Sequence, residues 1–403
     1  MRIYFAPCGI ALGHAGRMIP VAKTFQGRGD DVFFSTYGEA VSFVKKAGFA
    51  VGEVPAIRMF EKEDGTFNFR RTLSTTPKAM LTFTEQVGAE LNLIERFKPN
   101  LILSDSRLST VLAARMLRIT PLLILHQLRI MIPHVSPITR RYKLSIKRYT
   151  ERLGLEALGS LWRLSKVIIV PDFPPPYTIA KANVVPSNQY VKKLKMVGPI
   201  IPRLPDTLPT AEEIKRELGL DDRPLILAAI SGTPAEKMLI SNRLVEIFKD
   251  FPDSFNIILT RGLSDAPNAA AGSGGQSRNP RLKVCNWIDD RYKYLKACDA
   301  LVTRGGHNTV SEAIYYGKPM IVIPTPGHSE HQGIAESLAQ MKLAISMQQE
   351  ILSREKFLEA LKIMTESSAY RARIIDAQKN ALKFNAIESI YRLAQDELKT
   401  RST

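Results

Sequence analysis

Short apolar runs alternate along the chain with stretches whose apolar residues recur at three- and four-residue spacing. Arg2–Ala6, Val32–Ser35, Phe49–Val54, Leu101–Ser104, Leu122–Leu125 and Val167–Val170 read as strands. Between the early ones lie helical patterns over 14–27, 38–47 and 107–118; Ala15, Met18, Ile19, Ala22 and Phe25 line one face of the first. The alternation resumes with Leu225–Ile230, a helix over 235–249, Asn256–Thr260, Leu282–Val284, Ala300–Val302 and Met320–Ile323, and turns helical after Ser353. Strands alternating with helices predict an α/β fold, a parallel sheet covered on both faces, built twice.

The two halves meet at GPIIPRLPDTLP, residues 198–209, whose Pro199, Pro202, Pro205 and Pro209 break regular structure and suit a linker. The expected domains are 1–200 and 201–383. Residues 264–279, small, polar and glycine-rich, read as a mobile surface loop. With 403 residues, two domains are the natural expectation. Hydrophobic content of 45% and charged content of 24% fit a globular protein, and no apolar run approaches the roughly 20 residues of a bilayer span. The opening MRIYFAPCGIALGH reads as a first buried strand and its turn, not a leader. Cys8, Cys285 and Cys298 are far apart, without disulfide or metal spacing, which suits a reducing cytoplasm. The net charge of +17 fits either polyanionic company or a solvated basic surface. Nucleic acid is the weakest of those partners, because stacking aromatics are not interleaved with the basic residues.

The first strand runs into GIALGHAGR, with Gly9, Gly13 and Gly16. The spacing is wrong for a dinucleotide fingerprint, and no acid ends the second strand at Ser35-Thr36. His14 falls at the start of the first helix, a setting that suits a neutral ring able to deprotonate a hydroxyl; the plainer role is a helix cap. Gly13, Gly16 and Arg17 would shape a turn for the acceptor or a phosphate. Asp105, ending the strand of LILSDS, is placed either to support His14 or to cap the next helix.

The run TRGGHNTVSEAIYYGKPMIVIP goes strand, glycine turn, helix, turn, strand. Gly305 and Gly306 let amides point outward, Asn308 and Thr309 add donors, and the helix dipole favours an anion, which makes a pyrophosphate cradle. Glu312, one turn beyond Thr309, suits ribose hydroxyls or stabilises the helix end. Ser231-Gly232-Thr233 ends another strand as a second small anion turn, and Glu330, His331 and Gln332 open a helix where a sugar would lie. His328 and His331 lack a third ligand at metal spacing, and the Asp pairs at 30–31, 221–222 and 289–290 read as loop charges. Arg17 or Arg304 would then neutralise a diphosphate, with no obligatory metal and no cofactor beyond the donor.

On these residues the chain resembles GT-B glycosyltransferases over nearly its whole length. Its second domain resembles the family 28 C-terminal domain of MurG-type N-acetylglucosaminyltransferases and the signature of UDP-glycosyltransferases. The resemblance implies two Rossmann-like doubly wound domains facing a central cleft, with the last helix, 384–403, returning to the first domain. It assigns the diphosphate to Gly305, Gly306, Asn308 and Thr309, the ribose to Glu312, the donor sugar to His331-Gln332 and the base to His14. Against the plant-type signature, Arg304 stands for the leading histidine, His307 for tryptophan, His331 for the acid before Gln332 and Ala335 for an asparagine.

Residues 138–152, ITRRYKLSIKRYTER, interleave basic with apolar residues, which suits anionic lipid headgroups or a solvated helix face. The expected activity is inverting transfer of a hexose or N-acetylhexosamine from a UDP-sugar to a hydroxyl, on a lipid or lipid-linked acceptor. The expected place is the cytoplasm or the cytoplasmic membrane face. The alternatives are a nucleotide-sugar epimerase, which needs no acceptor, and a non-catalytic subunit that binds the donor or docks on a membrane.

Overall fold

The computed structural model describes residues 1–10, 12–56, 76–129, 131, 140–263 and 279–402. Ala11 of the first turn, Ile138 and Thr139 of the basic stretch, and the glycine-rich segment 264–279 apart from Asn279 lie outside the described residues. The chain folds as two units: the first runs to Pro202 and includes Phe384–Thr403, the second spans Arg203–Lys383.

In the first unit β1 (Arg2–Pro7), α1 (Gly13–Gly27), β2 (Asp31–Thr36), α2 (Glu39–Lys46) and β3 (Ala50–Glu53) come first. They are followed by α3 (Thr76–Phe97), β4 (Leu101–Asp105), α4 (Leu108–Met116), β5 (Pro121–Ile124), α5 (Arg141–Trp162), β6 (Val167–Val170) and β7 (Leu194–Met196). The strands form one sheet in the order β3-β2-β1-β4-β5-β6-β7, every neighbouring pair parallel. The strand sequences LILSD, PLLI and VIIV are buried throughout, as a parallel sheet covered on both faces requires. The strand order reverses between β1 and β4, and at such a point the C-terminal strand ends open a crevice. The last helix, α13 (Ala386–Ser402), sets Ala386, Ile390 and Ala394 at four-residue spacing into the core formed with Met18 and Phe25 of α1. Arg28 bonds Glu388 at 2.7 Å at that seam, and Phe25 meets Tyr391 at 4.8 Å between ring centroids.

The second unit opens with α6 (Ala211–Glu217), β8 (Leu225–Ala229), α7 (Pro234–Phe248), β9 (Asn256–Thr260), β10 (Leu282–Cys285) and α8 (Arg291–Ala297). Then come β11 (Ala300–Thr303), α9 (His307–Tyr315), β12 (Met320–Val322), α10 (Ser329–Gln340), β13 (Ala344–Ser346), α11 (Arg354–Glu366) and α12 (Ser368–Ala381). Its sheet is again all parallel, in the order β10-β9-β8-β11-β12-β13, with the reversal between β8 and β11. No helix among the described residues is long and apolar enough to cross a membrane.

Candidate active site

The first unit's candidate groups follow from the register of β1 against β4. Pro7 pairs with Asp105, and the Cys8 N–H donates to the Asp105 carbonyl at 3.0 Å, so the two strand ends at the reversal point are level. The chain leaving β1 enters α1 at Gly13, which sets His14 in the first helical turn and Arg17 one turn later on the same side. His14 Nδ1 lies 2.9 Å from Asp105 Oδ1. Arg17 grips the same carboxylate with two bonds, Nε to Oδ2 at 2.6 Å and Nη2 to Oδ1 at 2.5 Å. Asp105 is fully buried and Arg17 nearly so, whereas His14 keeps a fifth of its side chain exposed.

Two groups meet at Nδ1: the Asp105 oxygen, which accepts, and Arg17 Nη2 at 3.0 Å, which donates. The tautomer with the hydrogen on Nδ1 serves Asp105 and leaves Nε2 as the proton acceptor. Burial alone would raise Asp105. The charge of Arg17, with the hydrogen bonds from His14 and Arg17, outweighs it and holds the carboxyl well below the usual range. The Ser106 hydroxyl adds a 3.1 Å bond to Oδ1, with its own backbone in the left-handed region at φ 58°. Arg107 then pins the segment: buried, it is ion-paired to Glu90 of α3 and donates to the Ser35 carbonyl at 2.8 Å. Neither plainer role for the dyad holds, since α1 and α4 have Leu12 and Arg107 at their caps with no side-chain cap bond.

Arg17, expected to face an anion, is instead committed within the protein, and its Nη1 lies 3.0 Å from His126 Nδ1. His126 was missed in the sequence. It lies two residues past the end of β5, and that strand-edge position is the signal that could have found it. Of the glycines, Gly9 alone shows a steric need, because a Cβ there would come within 2.2 Å of the Tyr37 carbonyl oxygen. Gly13 is exposed and Gly16 faces open space.

In the second unit the turn after β11 meets the turn after β8. Gly305 has φ 86°, and a Cβ there would come within 2.9 Å of Val322. Gly306 is the N-cap of α9, 3.6 Å from Ser231 Oγ at the position of a Cβ. No side chain caps α9 and no acid lies in its first turn, so its amides keep their anion affinity. Gly306, Asn308 and Thr309 are half-buried at this end, while His307 turns inward and is buried. The turn after β8 differs. Thr233 and Glu236 form a capping box on α7, and Gly232 packs on Glu236, so that helix end already holds a carboxylate.

Arg304, expected as a counter-ion to the diphosphate, is 1% exposed. It donates to Gln349 and to Thr325, each at 2.8 Å. Its Nε has no partner, and no carboxylate pairs with it among the described residues. Burial lowers its pKa to about 10, so it stays charged at neutral pH. His331, expected on the sugar, lies 3.1 Å from Thr325 Oγ1 through Nδ1 and stacks on His328 at 3.9 Å. Burial, with His328 and Arg304 adding, pushes it down to about 3, leaving a neutral ring. Beside it the Gln332 side chain is half-buried. No cluster of three metal-ligating side chains occurs among the described residues. Glu312 is buried on α9. Burial raises its carboxyl, opposed by bonds to Oε1 from Arg291 and, at 3.1 Å, from Tyr292.

Residues 234–390 match the Glycosyltransferase family 28 C-terminal domain. An uncharacterized glycosyltransferase of Methanosarcina acetivorans is 26% identical over 99% of both chains. The UDP-N-acetylglucosamine–N-acetylmuramyl-(pentapeptide) pyrophosphoryl-undecaprenol N-acetylglucosamine transferase of Desulforudis audaxviator is 23% identical over 97% of this chain and 96% of its own. The crystal structure of Acinetobacter baumannii MurG shares the fold, with a TM-score of 0.60 at 18% identity over 98% of this chain and 99% of that one. The chain is thus similar to glycosyltransferases over its whole length, with the GT-B fold and a match to the family 28 C-terminal domain over residues 234–390.

Proposed function

We propose that the chain moves a hexose or N-acetylhexosamine from a UDP-sugar to an acceptor hydroxyl on a lipid-linked saccharide, with inversion and without an obligatory metal or cofactor. The observation that carries this reading is one buried carboxylate held between Arg17 and His14, which leaves His14 Nε2 as the base. Nε2 takes the proton as the acceptor oxygen attacks the anomeric carbon. The bond from that carbon to the diphosphate breaks, and the leaving oxygen keeps the electron pair. Attack opposite the leaving group inverts the centre. Ionised Asp105 stabilises the imidazolium that forms. The uncapped end of α9 and the buried charge of Arg304 would meet the growing charge on the diphosphate. Both bonds to Glu312 fall on Oε1, which leaves Oε2 for ribose hydroxyls. The Desulforudis audaxviator relative, named for its UDP-N-acetylglucosamine donor and undecaprenol-linked acceptor, supports a UDP donor and a lipid-linked acceptor.

The test is turnover of UDP-sugars with saccharide acceptors, with and without a chelator. His14→Ala should lower turnover about 10²–10⁴-fold while UDP affinity is kept. An epimerised product from donor alone, or UDP binding with no turnover in the unmodified protein, would overturn the reading.

A further inference from the structure

Helix α5 has two apolar sides, and only one packs on the rest of the described residues. Leu158 and Trp162 pack with Val111 and Leu123, and Glu151 on that side is buried and ion-paired with Arg129 at 2.7 Å. On the opposite side Tyr142, Ile146, Tyr149 and Leu153 are 56%, 60%, 66% and 53% exposed. Their spacing of four, three and four residues places them in an arc of about 60° at 100° per residue. At 1.5 Å per residue the stripe is about 16 Å long. Scattered exposed apolar residues are ordinary; four aligned on one helix face mark a contact surface.

Charge identifies the partner. Arg141, Lys143, Arg148 and Arg152 flank the stripe on both sides, exposed and without an ion pair among the described residues. Of the two acids on the helix, Glu151 is buried on the far side and Glu156 accepts from Ser187 and Gln189. A narrow convex apolar stripe, tipped by two tyrosine hydroxyls and bordered by cations, matches a headgroup–acyl boundary. A protein partner would need a groove with carboxylates along both rims. We infer that this face of α5 docks on an anionic lipid bilayer, lying in the plane of its surface. The inference stands on this helix face and is independent of the acceptor proposed above.

The test is co-sedimentation of the full chain with phosphatidylcholine vesicles, with and without phosphatidylglycerol. Binding should require phosphatidylglycerol and fall as salt rises. Replacing Arg141, Lys143, Arg148 and Arg152 together by Gln should weaken it about 10²–10³-fold, at roughly fivefold per basic residue. Ile146→Ser with Tyr149→Ser should weaken it at least about tenfold. All six positions are exposed, so UDP affinity and the thermal midpoint should be unchanged. No binding by the unmodified protein, equal binding to both vesicle types, or equal binding by both variants would overturn the inference. So would an apolar variant that only abolishes self-association, which would give the face to a second copy of the chain.

Discussion

At the reversal point of the first unit, between β1 and β4, His14 and Arg17 converge on the one carboxylate of Asp105. At the reversal point of the second, between β8 and β11, a glycine turn and an uncapped helix end take the same topological place. The folds are alike, so the difference lies in the groups set at the strand ends. A proton acceptor needs one nitrogen with a fixed tautomer, which a side-chain network supplies. A spread anionic charge needs several donors without a competing carboxylate, which backbone amides supply.

The sharpest break falls on the first network. Asp105→Asn should lower turnover about 10²–10⁴-fold, because the amide no longer holds His14 with Nδ1 protonated and cannot stabilise the imidazolium. It also leaves Arg17 buried beside a neutral group, a loss of about 3–5 kcal/mol seen as a lowered thermal midpoint. Turnover should be measured well below that midpoint, with UDP affinity as the control for the second unit. Near-normal turnover there would detach the network from catalysis.

Two substitutions then sharpen the contrast within the second unit. Gly305→Ala puts a Cβ at φ 86° and 2.9 Å from Val322. It should cost about 1–3 kcal/mol of stability and weaken UDP binding at least about tenfold. Thr233→Ala removes the cap of α7 at about 1 kcal/mol and should leave UDP affinity unchanged. Titration calorimetry decides. Equal losses of affinity would make the turn after β8 part of the cradle.

The second reversal point was the more legible of the two in the sequence. Strand, paired glycines and helix lie within one short run, and local chemistry carries the reading. The first was legible in its parts but not in its pairing. Arg17 sits one helical turn from His14, yet its carboxylate partner is 88 positions away, so an external anion was the natural expectation. The neighbours of Arg304 were hidden for the same reason: its partners Thr325 and Gln349 come from distant turns. Among elements, β7 and β13 are three residues each, too short to show a period. Helix α3 was passed over although Val87, Leu91 and Ile94 line the side that packs near Tyr4 and Ile102.

The smallest expected effect is a pH dependence of the second unit alone. Burial holds His331 at about 3 in the folded chain, against about 6.5 for an unfolded histidine. Between those values the unfolded state binds a proton that the folded state does not, so this contribution is complete above about pH 6.5 and is lost as the pH falls. For a fully enclosed ring, going from pH 7 to pH 5 would cost about 2 kcal/mol; the ring is only half-buried, and solvent screening reduces that to about 1 kcal/mol. A unit of this size should then lose about 2–4 °C in thermal midpoint from this group. For the comparison of His331→Gln with its parent, the stacked neighbour His328 is replaced by Gln in both chains; the remaining titrating groups then act on both alike, and the difference between the two pH slopes isolates the ring. A shallower slope in His331→Gln places the neutral histidine under the glycine turn as a structural group. Identical slopes would mean that solvent reaches the ring freely, and His331 would return to the candidates for direct contact with the donor sugar.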